Sequence, residues 1–288
     1  MPSPMNATQA CRDRRVFVRS HFALPEHADL APGSADQLQE IENALDHLCT
    51  AGVSVLEQAL GCRLDVHDHA LPQTTGFFSR YYPLRSEGFA SCTKSMEEWE
   101  VLRWAWPRLR QSLDQRDGAG FRDALIDIAK RAGGGEGLRR QDVRTCPDAA
   151  GRVVVFPHWR TIPDRLDALF RLLVMETPYP SGLNAGIALV CISHCHPFTD
   201  GNGRISRIIF NTIMQSKYER PVFYLPIFEL SALSRGMFIM SVRSAELHGG
   251  WDDLFSTLAR MTAYWRTRVG RGTDDQSKAG DGAFAHVR

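Results

Sequence analysis

Residues 196–207 read His196-Pro197-Phe198-Thr199-Asp200-Gly201-Asn202-Gly203-Arg204-Ile205-Ser206-Arg207, between an almost wholly apolar stretch, Ala185 to Cys195, and an amphipathic one, Arg204 to Tyr218. Both flanks read as helices. Pro197 disfavours helical geometry at the residue before it, so the first helix is expected to stop with the His196 imidazole at its C-terminal end. The dipole there favours the protonated ring, which predicts a pKa held up rather than down and a group suited to taking a proton near neutral pH. Gly201 and Gly203 let the backbone turn and approach a ligand with no side chain between. The next helix then opens with unpaired N–H groups, a ready anion site. Arg204 and Arg207, three apart on that helix, share a face and reach one polyanion. Asp200 offers a hard oxygen for Mg²⁺, and Asn202 a donor for a phosphate oxygen. Base, metal ligand, backbone cradle and two guanidinium groups so close in sequence describe a site for phosphoryl or nucleotidyl transfer.

This stretch resembles, at each signature position, the motif of the Fic (filamentation induced by cyclic AMP) family, His-x-Phe-x-Asp/Glu-Gly-Asn-Gly-Arg-x-x-Arg. The resemblance covers about residues 115–268. A Gly-rich turn and β-hairpin at 133–157 stand where family members carry a flap, helices from 163 to 216 frame the motif, and a helix near the end resembles the closing one. It implies a mainly α Fic fold, a helical bundle with a short β-hairpin flap over the active site. It also implies protein adenylyltransferase activity: AMP passes from ATP to a Ser, Thr or Tyr hydroxyl of a target protein and pyrophosphate leaves. By that resemblance His196 deprotonates the hydroxyl, Asp200 holds Mg²⁺ on the α- and β-phosphates, and Asn202 with the N–H groups of Gly201 and Gly203 holds the phosphates. Arg204 contacts the β-phosphate, Arg207 the γ-phosphate, and Phe198 anchors the loop in the core. Val153, Val154 and Val155 of the flap align the target segment by strand addition. ATP is then the co-substrate and Mg²⁺ the cofactor.

Gly203 stands where phosphotransferases of the group carry Lys, and Gly201 where phosphocholine-transferring members carry Ala, so the resemblance favours nucleotidyl transfer. Two alternatives stay open. One keeps the scaffold with another donor, UTP or another pyrophosphate-containing nucleotide, because the base pocket lies outside the motif. The other is a non-catalytic helical module that retains nucleotide. Many Fic proteins are also held off by a helix of pattern Ser/Thr-x-x-x-Glu-Gly/Asn, whose Glu pairs with the second motif arginine. Here Glu precedes Gly or Asn at 42–43, 87–88 and 136–137, but Leu38, Pro83 and Ala132 stand four residues before, so none fits. The expectation is a chain without in-chain inhibition, restrained by a separate antitoxin-like partner or acting as a toxin or effector that needs none.

Outward from the motif, residues 1–33 mix Pro, Ser and charge and read as poorly ordered. Residues 34–114 read as an N-terminal helical region, with Leu38, Ile41, Leu45, Leu48 and then Val53, Leu56, Leu60 at helical spacing. The aromatic stretch from Leu71 to Cys92 has no period. Ser95-Met96-Glu97-Glu98 has the form of a capping box, and Trp99, Leu102 and Trp106 repeat helically until Pro107 interrupts. In the catalytic core, 115–268, a helix is expected from Phe121 to Lys130, and Gly133 to Gly137 reads as a flexible turn. Pieces around Val143 and Val153–Phe156 read as a hairpin, and a further helix spans Pro163 to Met175. Arg139, Arg140, Arg144 and Arg152 read as a solvated face, with target docking the lesser reading, and His194 as a satisfied core or interface histidine. Cys191, His194, Cys195, His196 and Asp200 lack zinc-site spacing. A helix from Gly250 to Arg268 closes the core, and 269–288 has tail composition.

The 288 residues carry 34 Lys+Arg against 33 Asp+Glu, a net charge of +1, which argues against a protein built to bind nucleic acid or an anionic membrane. The longest apolar run, 185–192, falls far short of the roughly 20 residues that span a bilayer. The N-terminus lacks the apolar segment of a secretory signal. With seven scattered cysteines, reduced thiols and a cytoplasmic location are expected, delivery into a host cell by a specialised secretion system being the other route.

Overall fold

Apolar residues at helical spacing build ten helices among the residues described by a computed structural model, which are 16–19, 32–64, 71, 91–145, 152–175, 181–234 and 236–282. The organising pair is α6 (Ser181–Cys195) and α7 (Asn202–Met214), packed together with the motif as their connection. Helix α6 is apolar on every side because it is enclosed. Helices α1 (Pro32–Ala51), α5 (Ile162–Leu173), α7 and α9 (Met237–His248) all pack on it. Helix α1 also supplies a cap, since Glu42 accepts from the Gly182 N–H at the start of α6 (2.8 Å).

Leu38, Ile41, Leu45 and Leu48, the stripe legible in the sequence, are buried, and α1 packs against the closing helix α10 (Trp251–Gly282). Helix α10 runs past the expected end at Arg268, because Gly270 and Gly272 each cost a helix only about 1 kcal/mol and do not stop it. Helix α2 (Val53–Gly61) packs on α3 (Thr93–Asp114), and α4 (Gly118–Arg131) lies between α3 and α5, its N-terminus capped by the Asp117 side chain on the Gly120 N–H (3.0 Å). Helices α8 (Ile227–Leu233) and α9 have no counterpart in the sequence reading. The sequence shows too few turns of clear period there. No helix among the described residues is long and apolar enough to cross a membrane.

Two expectations for α3 fail. Pro107 lies inside the helix rather than ending it. The carbonyl that loses its partner belongs to Arg103, on a side where that residue's chain is 45% exposed, so water can satisfy it. The flanks are held by Trp106 Nε1 donating to the Glu219 carbonyl (3.0 Å) and by Arg110, which donates to the Ser216 and Tyr218 carbonyls. The capping box does not form either. Ser95 sits in the first turn, and the cap comes from α8, where buried Glu229 accepts from the Lys94 N–H (3.1 Å), the Ser95 N–H (3.2 Å) and the Ser95 hydroxyl. Glu98 is thereby left for another partner.

The β structure among the described residues is small. Strand β2 (Arg152–Val155) bridges antiparallel to Arg144, with the Thr145 N–H on the Val154 carbonyl (3.0 Å) and the Phe156 N–H on the Val143 carbonyl (3.2 Å). Residues 146–151, where the hairpin would turn, lie outside the described residues, as does most of Leu71–Cys92. On its other side β2 pairs in parallel with β1 (Val16–Arg19). Part of the region expected to lack order is therefore a strand.

Candidate active site

Helix α6 ends at Cys195, and the chain leaves it through His196 at φ +48°, an uncommon conformation for a residue other than glycine. The turn is held by the His196 N–H on the Ile192 carbonyl (3.0 Å) and by a neighbour the sequence reading placed in solvent. Arg139 is only 2% exposed. Its guanidinium donates to four carbonyls: His196 (2.6 Å), Cys195 (3.3 Å), Gln141 (2.7 Å) and Pro157 (2.5 Å). A cation there neutralises the carbonyl end of α6 and ties it to the segment after β2. An arginine among four arginines carries no signal of that role in one sequence.

Phe156 stacks on the His196 ring, centroids 3.9 Å apart and planes at 19°. Burial pushes the His196 pKa down, the guanidinium charges of Arg139 and Arg243 add to the lowering, and the Ser193 carbonyl and Glu246 oppose it. The direction is opposite to the one expected from the helix dipole, and burial is its largest cause. Nδ1 lies 3.3 Å from the Ser193 carbonyl, which can only accept, so Nδ1 carries the proton and Nε2 is the free base. Below and behind it, His194 is buried, its Nδ1 3.1 Å from Glu246 Oε1 and its Nε2 3.5 Å from Arg165, while Arg243 holds the other Glu246 oxygen. This is the satisfied core histidine the sequence suggests.

The loop that follows is shaped by its own side chains. Phe198 is fully buried. Asn202 accepts from the Phe198 N–H (2.9 Å) and donates to the Phe198 carbonyl (2.8 Å), so its amide braces the loop across four residues. Gly201, at φ +75°, is the N-cap of α7. The first helical bond is the Ile205 N–H on the Gly201 carbonyl (3.0 Å), which leaves the three preceding N–H groups without an intrahelical partner. Asp200 accepts from the Gly201 N–H (2.6 Å) and lies 3.7 Å from Arg204, its side chain 81% exposed. Mg²⁺ on a nucleotide is held by one or two carboxylates with phosphate oxygens and water, so this one solvent-facing carboxylate fits such an ion. Among the described residues no three His, Cys, Asp or Glu are grouped to hold a metal by themselves.

Within the Gly133–Gly137 run Gly134 is packed rather than loose. Gly134 lies under the loop so closely that a Cβ there would stand 2.7 Å from the Asp200 carbonyl and 3.2 Å from the Ala129 carbonyl. Neither backbone atom can turn aside. Gly134→Ala is therefore expected to displace the loop by a few tenths of an ångström to an ångström and to lower turnover by up to about 10²-fold. Gly137→Ala, with nothing within 4 Å, should leave turnover unchanged in the same assay, circular dichroism confirming the fold of both.

Arg207 departs most from expectation. Glu98 of α3 grips it with both oxygens, one on Nε at 3.0 Å and the other on Nη2. Tyr224 donates to the same carboxylate (2.7 Å), and Phe228 lies against the guanidinium, 5.2 Å from its ring centroid. Burial works against the Arg207 charge, and Glu98 more than offsets it, so the pKa is raised. The chain thus does carry a glutamate directed at the second motif arginine. The pattern search misses it because Glu98 is followed by Trp99 and preceded at four residues by Lys94.

Residues 121–214 match the family model described as Fic/DOC family. The matched segment contains the whole 196–207 motif, and the likeness to that family is a likeness of this segment. The fold is similar to that of a Fic family protein from Desulfovibrio desulfuricans G20, at 13% identity over 88% of this chain and 78% of that one, TM-score 0.51. It is also similar to Fic-1 from C. elegans, at 17% identity over 85% of this chain and 74% of that one, TM-score 0.50. At such identities the likeness concerns the fold. No curated protein matches the sequence. Proteins of this family commonly transfer a nucleoside monophosphate to proteins.

Proposed function

We propose that the chain is a protein adenylyltransferase, moving AMP from ATP to a Ser, Thr or Tyr hydroxyl of a target protein. The supporting observation is the single loop that sets a neutral histidine base at the end of α6 beside the open N–H groups of α7, with Asp200 and Arg204 at its rim. In this reading Nε2 of His196 takes the hydroxyl proton as the oxygen bonds to the α-phosphorus. The bond from that phosphorus to the bridging oxygen breaks and pyrophosphate leaves with the electron pair. The N–H groups at the start of α7, that of Gly203 among them, would meet phosphate oxygens, with the Gly201 N–H joining them once Asp200 turns from it to Mg²⁺, and Arg204 adds a cation. Mg²⁺ held by Asp200 would offset charge on the phosphates. Asn202 acts through the shape of the loop, and Phe198 fixes that loop to the core.

Arg207 in this reading serves the γ-phosphate only when Glu98 lets go. In this reading the Glu98–Arg207 contact is a restraint, and the reason for invoking a separate antitoxin-like inhibitor, the lack of an in-chain glutamate, falls away. Incubation with α-labelled ATP, γ-labelled ATP and α-labelled UTP in parallel tests the donor. Label on protein from α-labelled ATP alone is expected. Label from UTP would assign another donor, and no label from any would assign a nucleotide-binding module.

The base must be neutral to act. With the pKa of His196 pushed below its ordinary 6.5, kcat/KM is expected to stay level from pH 8 down past 6.5 and only then to fall, tenfold per pH unit. An acid limb centred above 6.5 would show that the dipole, not burial, governs the ring.

A further inference from the structure

Strand β2 has two edges, and both are taken. The Val154 carbonyl and the Phe156 N–H bond to Thr145 and Val143 on one side. Since backbone groups alternate along a strand, those of Val153 and Val155 face the other. There β1 pairs with β2 in parallel, in the register Val16 with Arg152, Phe17 with Val153, Val18 with Val154 and Arg19 with Val155. The strand it covers leads straight into the site. Phe156, the next residue, lies on the His196 ring, and the Pro157 carbonyl shares Arg139 with the His196 carbonyl.

We propose that β1 is a built-in occupant of the edge that an extended segment of the target would take, and that a target docks by displacing it. The inference rests on the reading of the chain as an enzyme acting on protein hydroxyls. An edge accepts one strand, so β1 and an incoming segment exclude each other. Displacement is feasible because, among the described residues, four are paired, in the parallel arrangement that is less stable per residue. Backbone pairing makes little demand on sequence, so the partner it fits is any extended segment free of proline, its hydroxyl carried past Phe156 toward Nε2 of His196. Together with Glu98, which withholds Arg207, β1 would restrain the acceptor side of the reaction independently of the donor side.

The test uses the full chain with Phe17→Pro and Val18→Pro together. Successive residues turn their N–H groups to opposite sides, so one of the two faces β2, and proline removes whichever it is. Amide hydrogen exchange at Val153 and Val155 should quicken at least tenfold, while α6 and α7 stay protected and so report an intact core. A fluorescent peptide copying residues 14–22, RRVFVRSHF, should bind this variant at least tenfold more tightly than the unaltered chain, read by anisotropy. Unchanged exchange at Val153 and Val155 with the core protected would overturn β1 as the occupant. Equal peptide affinity for the two proteins would overturn displacement as the mode of docking. Neither readout uses ATP. Failure here would therefore leave the proposed transfer standing, and failure of transfer would leave the occupied edge standing.

Discussion

His196→Asn is expected to lower AMP transfer by about 10²- to 10⁴-fold, the range for loss of a positioned general base, with ATP binding unchanged. Asparagine is the suitable replacement because the site requires φ +48°, which asparagine tolerates better than alanine. The backbone turn, held by Arg139 and the Ile192 carbonyl, then persists without a group able to accept the proton. Transfer measured at saturating ATP, beside ATP affinity by calorimetry, separates loss of the base from loss of the site. Equal loss of both would mean that His196 shapes the loop rather than serving the chemistry.

Glu98→Gln is expected to act in the opposite direction, raising transfer tenfold or more and tightening ATP binding. The amide fills the same space and still accepts from Tyr224, but it no longer holds Arg207 by charge. A part-buried arginine left without its carboxylate destabilises the protein, and a γ-phosphate would supply the missing anion. The variant should accordingly melt lower than the unaltered chain without ATP and gain more thermal stability from ATP. That combination distinguishes a restraint from a structural ion pair. A purely structural Glu98 would lose stability and transfer together, with no larger gain from ATP.

The motif and the helical stripe of α1 were legible because both are local: spacing within twelve residues, or within a few turns, states which groups share a face. What escaped is tertiary. Glu98 meets Arg207 across 109 residues, and nothing beside Glu98 in sequence marks it. The dipole acting on His196 can be read from Pro197, but the burial that lowers its pKa, with Phe156 stacked on the ring, cannot. Arg139 reads as surface charge until its four carbonyl partners are in place around it. Pro107 reads as a break because the rule for proline is local, whereas α3 is held on both sides of it by contacts to residues 216–219. The Gly133–Gly137 turn reads as loose for the same reason: its tight contact is with Asp200, well away in sequence.

Intact-mass spectrometry reads the proposed transfer of AMP to a protein hydroxyl directly. Glu98→Gln, alone and combined with His196→Asn, would be incubated with ATP, Mg²⁺ and a cell extract as the source of acceptor. At least one acceptor protein is expected to gain the mass of AMP less one water with the first variant, and that gain is expected to vanish with the second. A gain matching phosphate or UMP, a gain that survives His196→Asn, or no gain at all would contradict the proposed transfer.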